Sequence, residues 1–211
     1  MSVVLYGSQS TASLVVHWLL IELGIEHKLH QLDFDQREQK SAEYLALNPA
    51  GRVPTLIIDG QVLTESAAIA MHLADLHPQA GFAPAPGSHE RGDYYRWICF
   101  CVYTLMPAYR AWFYPDEPAG EANVAEVKER ARVQLETAWQ QMADHFAAAG
   151  PYALGKNVSV VDFLLTMLMR WSRNMPRPSD RWPALAVHAR LMKARPAFAE
   201  VYRREGISDW T

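Results

Sequence analysis

The residues with the most chemistry to offer stand close together in the chain. Asn48-Pro49-Ala50-Gly51-Arg52-Val53-Pro54-Thr55-Leu56 leads to the turn pair Asp59-Gly60, and Leu63-Thr64-Glu65-Ser66 then opens an apolar helix. Pro54 has no N–H, so it fits only the first residue of a strand or a bulge. An X-Pro bond is also where a cis peptide is cheap, at about 0.5–1 kcal/mol. A cis Val53-Pro54 would turn the Val53 N–H and C=O outward, free to pair with an extended peptide as one more strand. Thr64-Glu65-Ser66 stands at a helix start, where unpaired N–H groups suit a carboxylate. Together these residues read as a site for a small peptide with a free α-carboxylate and α-amine. Each piece alone also fits an ordinary β-hairpin leading into a surface helix; the ordered combination favours the peptide site.

Such a site needs a frame, and the flanking pattern supplies one. Val3-Val4-Leu5-Tyr6 is a short apolar strand, with Gly7-Ser8-Gln9-Ser10 as its turn. From Ser13, the residues Leu14, Val15, Trp18, Leu19 and Leu23 recur at helical spacing, and Gly24 suits the position after a helix end. The stretch from His27 to Phe34 alternates polar and apolar like a half-buried strand. Ser41 to Leu47 reads as a short helix stopped by Asn48-Pro49. Thr55 to Asp59 and Gln61 to Leu63 form a hairpin, and Glu65 to Leu76 a helix that ends near Pro78. Residues 1–78 thus follow the order β-α-β-α-β-β-α. Residues 79–87 hold Gly81, Pro84, Pro86 and Gly87 with little apolar content, which is the composition of a linker. Beyond it no strand pattern occurs; 88–113, 121–149, 159–173, 183–194 and 196–204 read as helices separated by Pro or Gly. The fold class expected is an α/β domain followed by an all-α domain over 88–211. Ser159-Val160-Val161-Asp162 is a capping-box variant between Val158 and Phe163, with a folding role. Loss of Ser159 should cost about 1 kcal/mol.

Composition narrows the function classes. At 211 residues the chain has ample core for one large or two modest domains. Half of the residues are hydrophobic and 20% charged, as in an ordinary soluble protein. A net charge of −3 gives no basic field for nucleic acid or an anionic membrane. No run approaches the ~18 apolar residues of a membrane span, and no signal-peptide pattern is evident, so a cytoplasmic protein is expected. Cys99 and Cys101, two apart in a helical run, point in different directions and do not suit a disulfide with each other. The eight His lack paired metal-ligand spacing, so no metal is expected.

Asn48-Pro-Ala-Gly-Arg-Val-Pro-Thr-Leu followed by Glu65-Ser66-Ala-Ala-Ile-Ala resembles the glutathione-binding core of the glutathione S-transferase family. The Ser159–Asp162 segment resembles that family's helix-start motif in its second domain, and the similarity spans essentially the whole chain. The resemblance implies a thioredoxin-like topology for residues 1–78, glutathione as co-substrate and no metal or redox cofactor. It implies that Val53, before Pro54, pairs its backbone with the cysteinyl unit, and that Glu65 and Ser66 hold the γ-glutamyl amine and carboxylate. Gln39-Lys40 resembles the family's His-Lys segment for the glycine carboxylate. Lys40 matches and Gln39 departs from the His; a solvated helix-start charge is the other reading of Lys40. Arg52 either reaches the same carboxylate or stays exposed.

A glutathione enzyme must lower a thiol pKa of about 8.5 so that thiolate exists at neutral pH. The first strand–helix junction offers Tyr6, Ser8, Ser10, Thr11 and Ser13. In the family's serine-type classes a Ser here donates to the sulfur, and Ser10-Thr11-Ala12-Ser13 resembles that pattern. Ser10 is therefore the first choice and Tyr6 the second, with a helix cap as the competing role for Ser10. The family's cysteine variant has no counterpart, since no Cys lies in this region. For the second substrate the resemblance points between the domains, to Tyr103, Met106, Tyr109, Trp112 and Phe113; an aromatic stripe at this spacing also fits a helix core. The function implied is transfer of the glutathione thiolate to a small electrophilic, hydrophobic compound by a cytoplasmic homodimer active in detoxification. A glutathione-dependent peroxidase or isomerase is the competing enzyme reading, and a non-catalytic binding or regulatory protein the competing class.

Overall fold

Four short strands build one mixed sheet in the computed structural model, which describes residues 2–211. They are β1 (Val3–Gly7), β2 (Lys28–Gln31), β3 (Thr55–Ile58) and β4 (Gln61–Thr64), ordered β2-β1-β3-β4. β1 runs parallel to β2 and antiparallel to β3, with Leu5 opposite Leu29 on one side and Leu56 on the other. Leu5 and Leu56 are fully buried, as the alternation of β1 requires of its inward face. The β3–β4 hairpin closes at Asp59-Gly60, both at positive φ (47° and 87°). That is what a two-residue turn matched to the strand twist demands, and why Asp-Gly signals it.

Three helices serve this sheet: α1 (Ser13–Glu22), α2 (Ala42–Leu47) and α3 (Ser66–Leu76). Ser41 caps α2, its hydroxyl accepting from the Tyr44 amide at 3.2 Å. A 3₁₀ turn over Glu38–Lys40 precedes it. α1 is apolar on every side, with Leu14, Val15, Val16, Trp18, Leu19 and Leu20 all buried. A helix of that kind needs cover on more than one face. α3 covers part of it, and the rest is covered by a helix from the far end of the chain, α10 (Pro196–Glu205).

The break between the two compact units falls inside the linker expected at 79–87, but the division departs from a second domain that runs on over 88–211. One compact unit comprises residues 2–80 together with Lys193–Asp209 and Thr211; the other is Gly81–Met192 with Trp210. Composition marks the chain break, but the last helix returns to the first unit because α1 has apolar surface left to bury. Trp18 meets Phe198 edge-on at 5.1 Å, and Arg195 pairs with Glu22. His17 Nδ1 lies 2.8 Å from Glu205 Oε1, with both side chains almost wholly shielded.

The second unit is helical: α4 (His89–Phe100), α5 (Met106–Phe113), the short α6 (Asp116–Ala119), α7 (Val124–Ala149), α8 (Val160–Trp171) and α9 (Pro183–Lys193). The single helix expected over 88–113 is interrupted by a π turn at Cys101–Leu105. Pro107 explains it. Lacking an N–H, it cannot bond the carbonyl one turn back, so the helix widens before it. α8 is buried along nearly its whole length. Its start is tied by the Asp162 carboxylate, which accepts from the Ser159 amide at 2.7 Å, the Ser159 hydroxyl at 3.0 Å and the Ala153 amide at 2.8 Å. Among the described residues no helix is long and apolar enough to cross a membrane.

Candidate functional site

The loop between α2 and β3 is built around Asn48. Its Nδ2 donates to the Arg52 carbonyl at 2.8 Å and to the Thr55 hydroxyl at 3.1 Å, while its Oδ1 accepts from the Ala50 amide at 3.1 Å. The Tyr44 hydroxyl also donates to the Arg52 carbonyl, at 2.7 Å, and shares a 2.8 Å bond with Thr55. Burial holds the Tyr44 phenol above its ordinary range, so it stays a donor. The Val53-Pro54 bond is cis. Val53 lies beyond the last ladder pair, Thr55 opposite Thr64, so the sheet makes no claim on its amide or carbonyl. Sequence reasoning missed Asn48 and Tyr44 as the braces of this loop: Asn48 opens the motif and reads as a helix stop with Pro49, and Tyr44 is not singled out within the Ser41–Leu47 helix.

Lys40 closes over the same loop. Its ammonium donates to the Ala50 carbonyl at 3.2 Å. Gly51 is required beneath it: the backbone there has φ +58°, and a Cβ would stand 2.7 Å from Lys40 Nζ and 2.8 Å from the Gln39 carbonyl. Lys40 and Arg52 are exposed, and Gln39 is half-buried. The structure thus brings Gln39, Lys40, Arg52, Val53 and Pro54 onto one small loop system.

The start of α3 is the second part of the site. Glu65 occupies its N-cap position at φ 69°, ψ 108°, without a side-chain cap. A non-glycine residue rarely adopts that conformation, and such strain concentrates at binding sites. The first intrahelical bond runs from the Ile69 amide to the Glu65 carbonyl, so the Ser66, Ala67 and Ala68 amides have no helical acceptor. Ser66 is buried and Glu65 exposed. With no acidic residue in its first turn, the helix presents unscreened N–H groups that favour an anion.

The β1–α1 turn holds the hydroxyl candidates, and the structure separates them. Ser13 is buried; its Oγ accepts from the Ser8 amide at 3.1 Å and lies 2.9 Å from the Thr11 hydroxyl, which donates to the Ser8 carbonyl at 2.7 Å. Gly7 has no side chain because Ser13 fills that space, 2.7 Å from where a Cβ would be. Thr11 and Ser13 are therefore spent on shaping the turn. Tyr6 stacks on His30 at 4.9 Å and leans on Tyr44 at 5.7 Å, as a packing residue of the sheet. Ser10 is half-buried at φ 63°, and the N-cap of α1 is Ala12, two residues further on.

The five residues named for a second substrate lie in the helical unit, in different settings. Tyr103 on the π turn is 77% exposed and Phe113 is 48% exposed. Met106 is half-buried, as is Trp112, whose ring carries Lys128 Nζ at 4.6 Å. Tyr109 departs from the expectation of a pocket wall. It is fully buried, stacks on Phe113, meets Trp171 edge-on and accepts from Trp139 Nε1 at 3.3 Å. Burial pushes its phenol well above the usual range. Tyr109 is core, because the spacing that groups the five residues spans an inward and an outward face.

Comparisons with known proteins agree with this geometry. Residues 1–75 match the family model of the glutathione S-transferase N-terminal domain. A protein of Xanthomonas campestris pv. campestris named glutathione S-transferase GST-4.5 is 30% identical over 172 residues, 80% of this chain and 81% of that protein. The solved ternary complex of BphK, described as a bacterial GST, superposes with a TM-score of 0.85 at 35% identity, over 96% of this chain and 99% of that one. A sphingomonad glutathione S-transferase solved in complex with glutathione superposes with a TM-score of 0.85 at 28% identity, over 97% and 100% of the two chains. By its sequence and its fold, the chain belongs to the glutathione S-transferase family.

Proposed function

We propose that the first unit binds glutathione and that the chain transfers the glutathione thiolate to a small electrophilic, hydrophobic compound. The observation that carries this reading is the start of α3, where amides without a helical acceptor, a buried Ser66 and a strained Glu65 converge. A γ-glutamyl end bears a carboxylate and an ammonium on one carbon, and suits such a start. The carboxylate goes to the amides and the Ser66 hydroxyl, the ammonium to Glu65. Val53 pairs with the cysteinyl backbone, and Lys40, with Gln39 and Arg52, meets the glycine carboxylate. Ser10 donates its hydroxyl to the sulfur. At neutral pH a free thiol is only a few per cent ionised, so a hydroxyl donor and the positive end of α1 raise the thiolate fraction.

The thiol proton passes to solvent and the sulfur lone pair forms the S–C bond. The electron pair of the bond broken leaves with the leaving group, or moves onto the carbonyl oxygen of an enone. Proximity and thiolate stabilisation supply the rate enhancement. Tyr103, Met106, Trp112 and Phe113 are assigned to the second substrate. On the family resemblance the reading includes a cytoplasmic homodimer with a detoxification role; light scattering at micromolar concentration checks the dimer. Retention on immobilised glutathione with release by the free peptide is the expected result. A panel of halides, epoxides, enones and peroxides then identifies the electrophile. No retention, and no heat of binding with millimolar glutathione, would remove the reading.

A further inference from the structure

We propose that Gln9 is a positioning residue for Ser10, and that the end of α10 thereby takes part in setting the acidity of the bound thiol. This rests on the Ser10 role proposed above. The Gln9 side-chain amide nitrogen donates to the Glu205 carbonyl at 2.9 Å and the Gly206 carbonyl at 3.1 Å. Two carbonyl acceptors fix the orientation of the amide, since only its NH₂ has two hydrogens to give. Both acceptors sit at the C-terminal end of α10, where carbonyls have no partner within the helix. Gly206 turns the chain there at φ +67°, with Ile207 N–H returning to the Tyr202 carbonyl.

The anchor is firm. Glu205, whose carbonyl Gln9 grips, has its carboxylate on His17 of α1, and Phe198 and Arg195 tie the rest of α10 to Trp18 and Glu22. The residue being held is under strain, because Ser10 at φ 63° adopts a backbone that its surroundings must impose. On its C-terminal side the Thr11 and Ser13 hydroxyls lock the turn onto Ser8. On its N-terminal side the hold is Gln9, reaching partners 196 and 197 residues away. Ser10 therefore sits between two clamps, and releasing one lets its hydroxyl leave the direction in which it must donate. Gln9 is itself exposed, so truncating it opens no cavity in the core.

The test compares Gln9→Ala, Gln9→Glu, Ser10→Ala and the Gln9→Ala/Ser10→Ala double variant by ultraviolet titration of bound glutathione and by kcat against pH. Gln9→Ala should raise the thiol midpoint by about half a unit to one unit, seen as about three- to tenfold lower kcat near neutral pH. Gln9→Glu should go further, since a carboxylate facing two carbonyls has no hydrogen to donate. Glutathione Kd should stay within about twofold, the peptide's own contacts being untouched. The double variant should titrate like Ser10→Ala alone, the non-additivity expected of residues acting through one group. If Ser10→Ala moves the midpoint and neither Gln9 variant does, with or without a change in Tm, the inference is overturned while the Ser10 reading stands. If Ser10→Ala leaves the midpoint in place, the Ser10 reading itself fails and the role of Gln9 falls with it.

Discussion

The loop at 48–55 and the turn at 8–13 are proposed to serve one ligand, yet they are held in opposite ways. The side-chain hydrogen bonds that brace the 48–55 loop are local among the described residues. Asn48, Tyr44 and Lys40 reach partners no more than eleven residues away. The 8–13 turn is half self-tied and half hung on a helix almost the full chain length away. On the proposed reading the grip on the peptide and the ionisation of its sulfur are separable, one encoded locally and the other dependent on how α10 docks. Damage to the first should appear in affinity, and damage to the second in turnover.

The largest effect expected is that of Ser10→Ala, which removes the proposed donor to the sulfur. Preorganised donors of this kind are worth about 10²–10³ in kcat when deleted. Turnover at neutral pH should fall by about that factor, the thiol midpoint should rise, and glutathione Kd should scarcely change. A large loss of affinity in this variant would break the separation between the two regions. Ser66→Ala is the converse experiment. It removes the hydrogen bond proposed to a carboxylate remote from the sulfur, about 1.5–3 kcal/mol or a 10- to 150-fold weaker Kd. kcat at saturating glutathione should hold, because the contact acts alike in ground and transition states. Calorimetry reads the affinity, and an unchanged Kd would take Ser66 out of the site.

The same contrast governs what could be read from the residues in advance. The Asp59-Gly60 hairpin, the Ser41 helix start, the position of Pro54 and the Glu65-Ser66 helix entry are set by short-range stereochemistry, so residue types reveal them. The order of the elements also followed from periodicity. The docking of α10 was illegible. Leu14 to Leu20 announce a helix buried on several faces, but not which segment covers it. Gln9 left no signal at all, since its partners are backbone carbonyls that any residue carries. The π turn needed Pro107 to be weighed against an otherwise continuous helix pattern. Tyr109 shows the limit of spacing, which groups residues along a helix without saying which of them faces the core.

Gly51→Ala probes the local region at its tightest point. The left-handed backbone costs an L-residue about 1–2 kcal/mol, and the new Cβ meets Lys40 Nζ and the Gln39 carbonyl. Lys40 must give way, since the carbonyl belongs to the backbone. Glutathione Kd should weaken about tenfold, the equivalent of about 1.4 kcal/mol, with kcat at saturation retained. Were kcat to fall and Kd to hold, Lys40 would have no part in binding and the loop would be coupled to the sulfur after all.

The smallest effect concerns acid, and it should touch only the α10 side. His27 Nδ1 donates to the Ile25 carbonyl at 2.7 Å, and its Nε2 is buried with no hydrogen-bond partner among the described residues, so a proton added there would find no acceptor. Burial lowers the His27 pKa from its ordinary 6.5, and the nearby His17 and Arg204 lower it further. The folded state therefore binds this proton less readily than the unfolded chain does. The contribution to stability is complete above about pH 6.5, declines as pH falls toward the folded-state pKa, and declines no further below it. His17 stands edge-on to His27 at 5.2 Å and carries the Glu205 contact, so this loss falls on the docking of α1 with α10. Thermal melts at pH 7.5 and 5.5 should show a smaller acid drop in His27→Gln than in the natural chain. Glutathione affinity, referred to the pH dependence of the free peptide, should be alike in the two. An equal drop in both proteins would clear His27, and an affinity difference between them at pH 5.5 would show that the local loop feels α10.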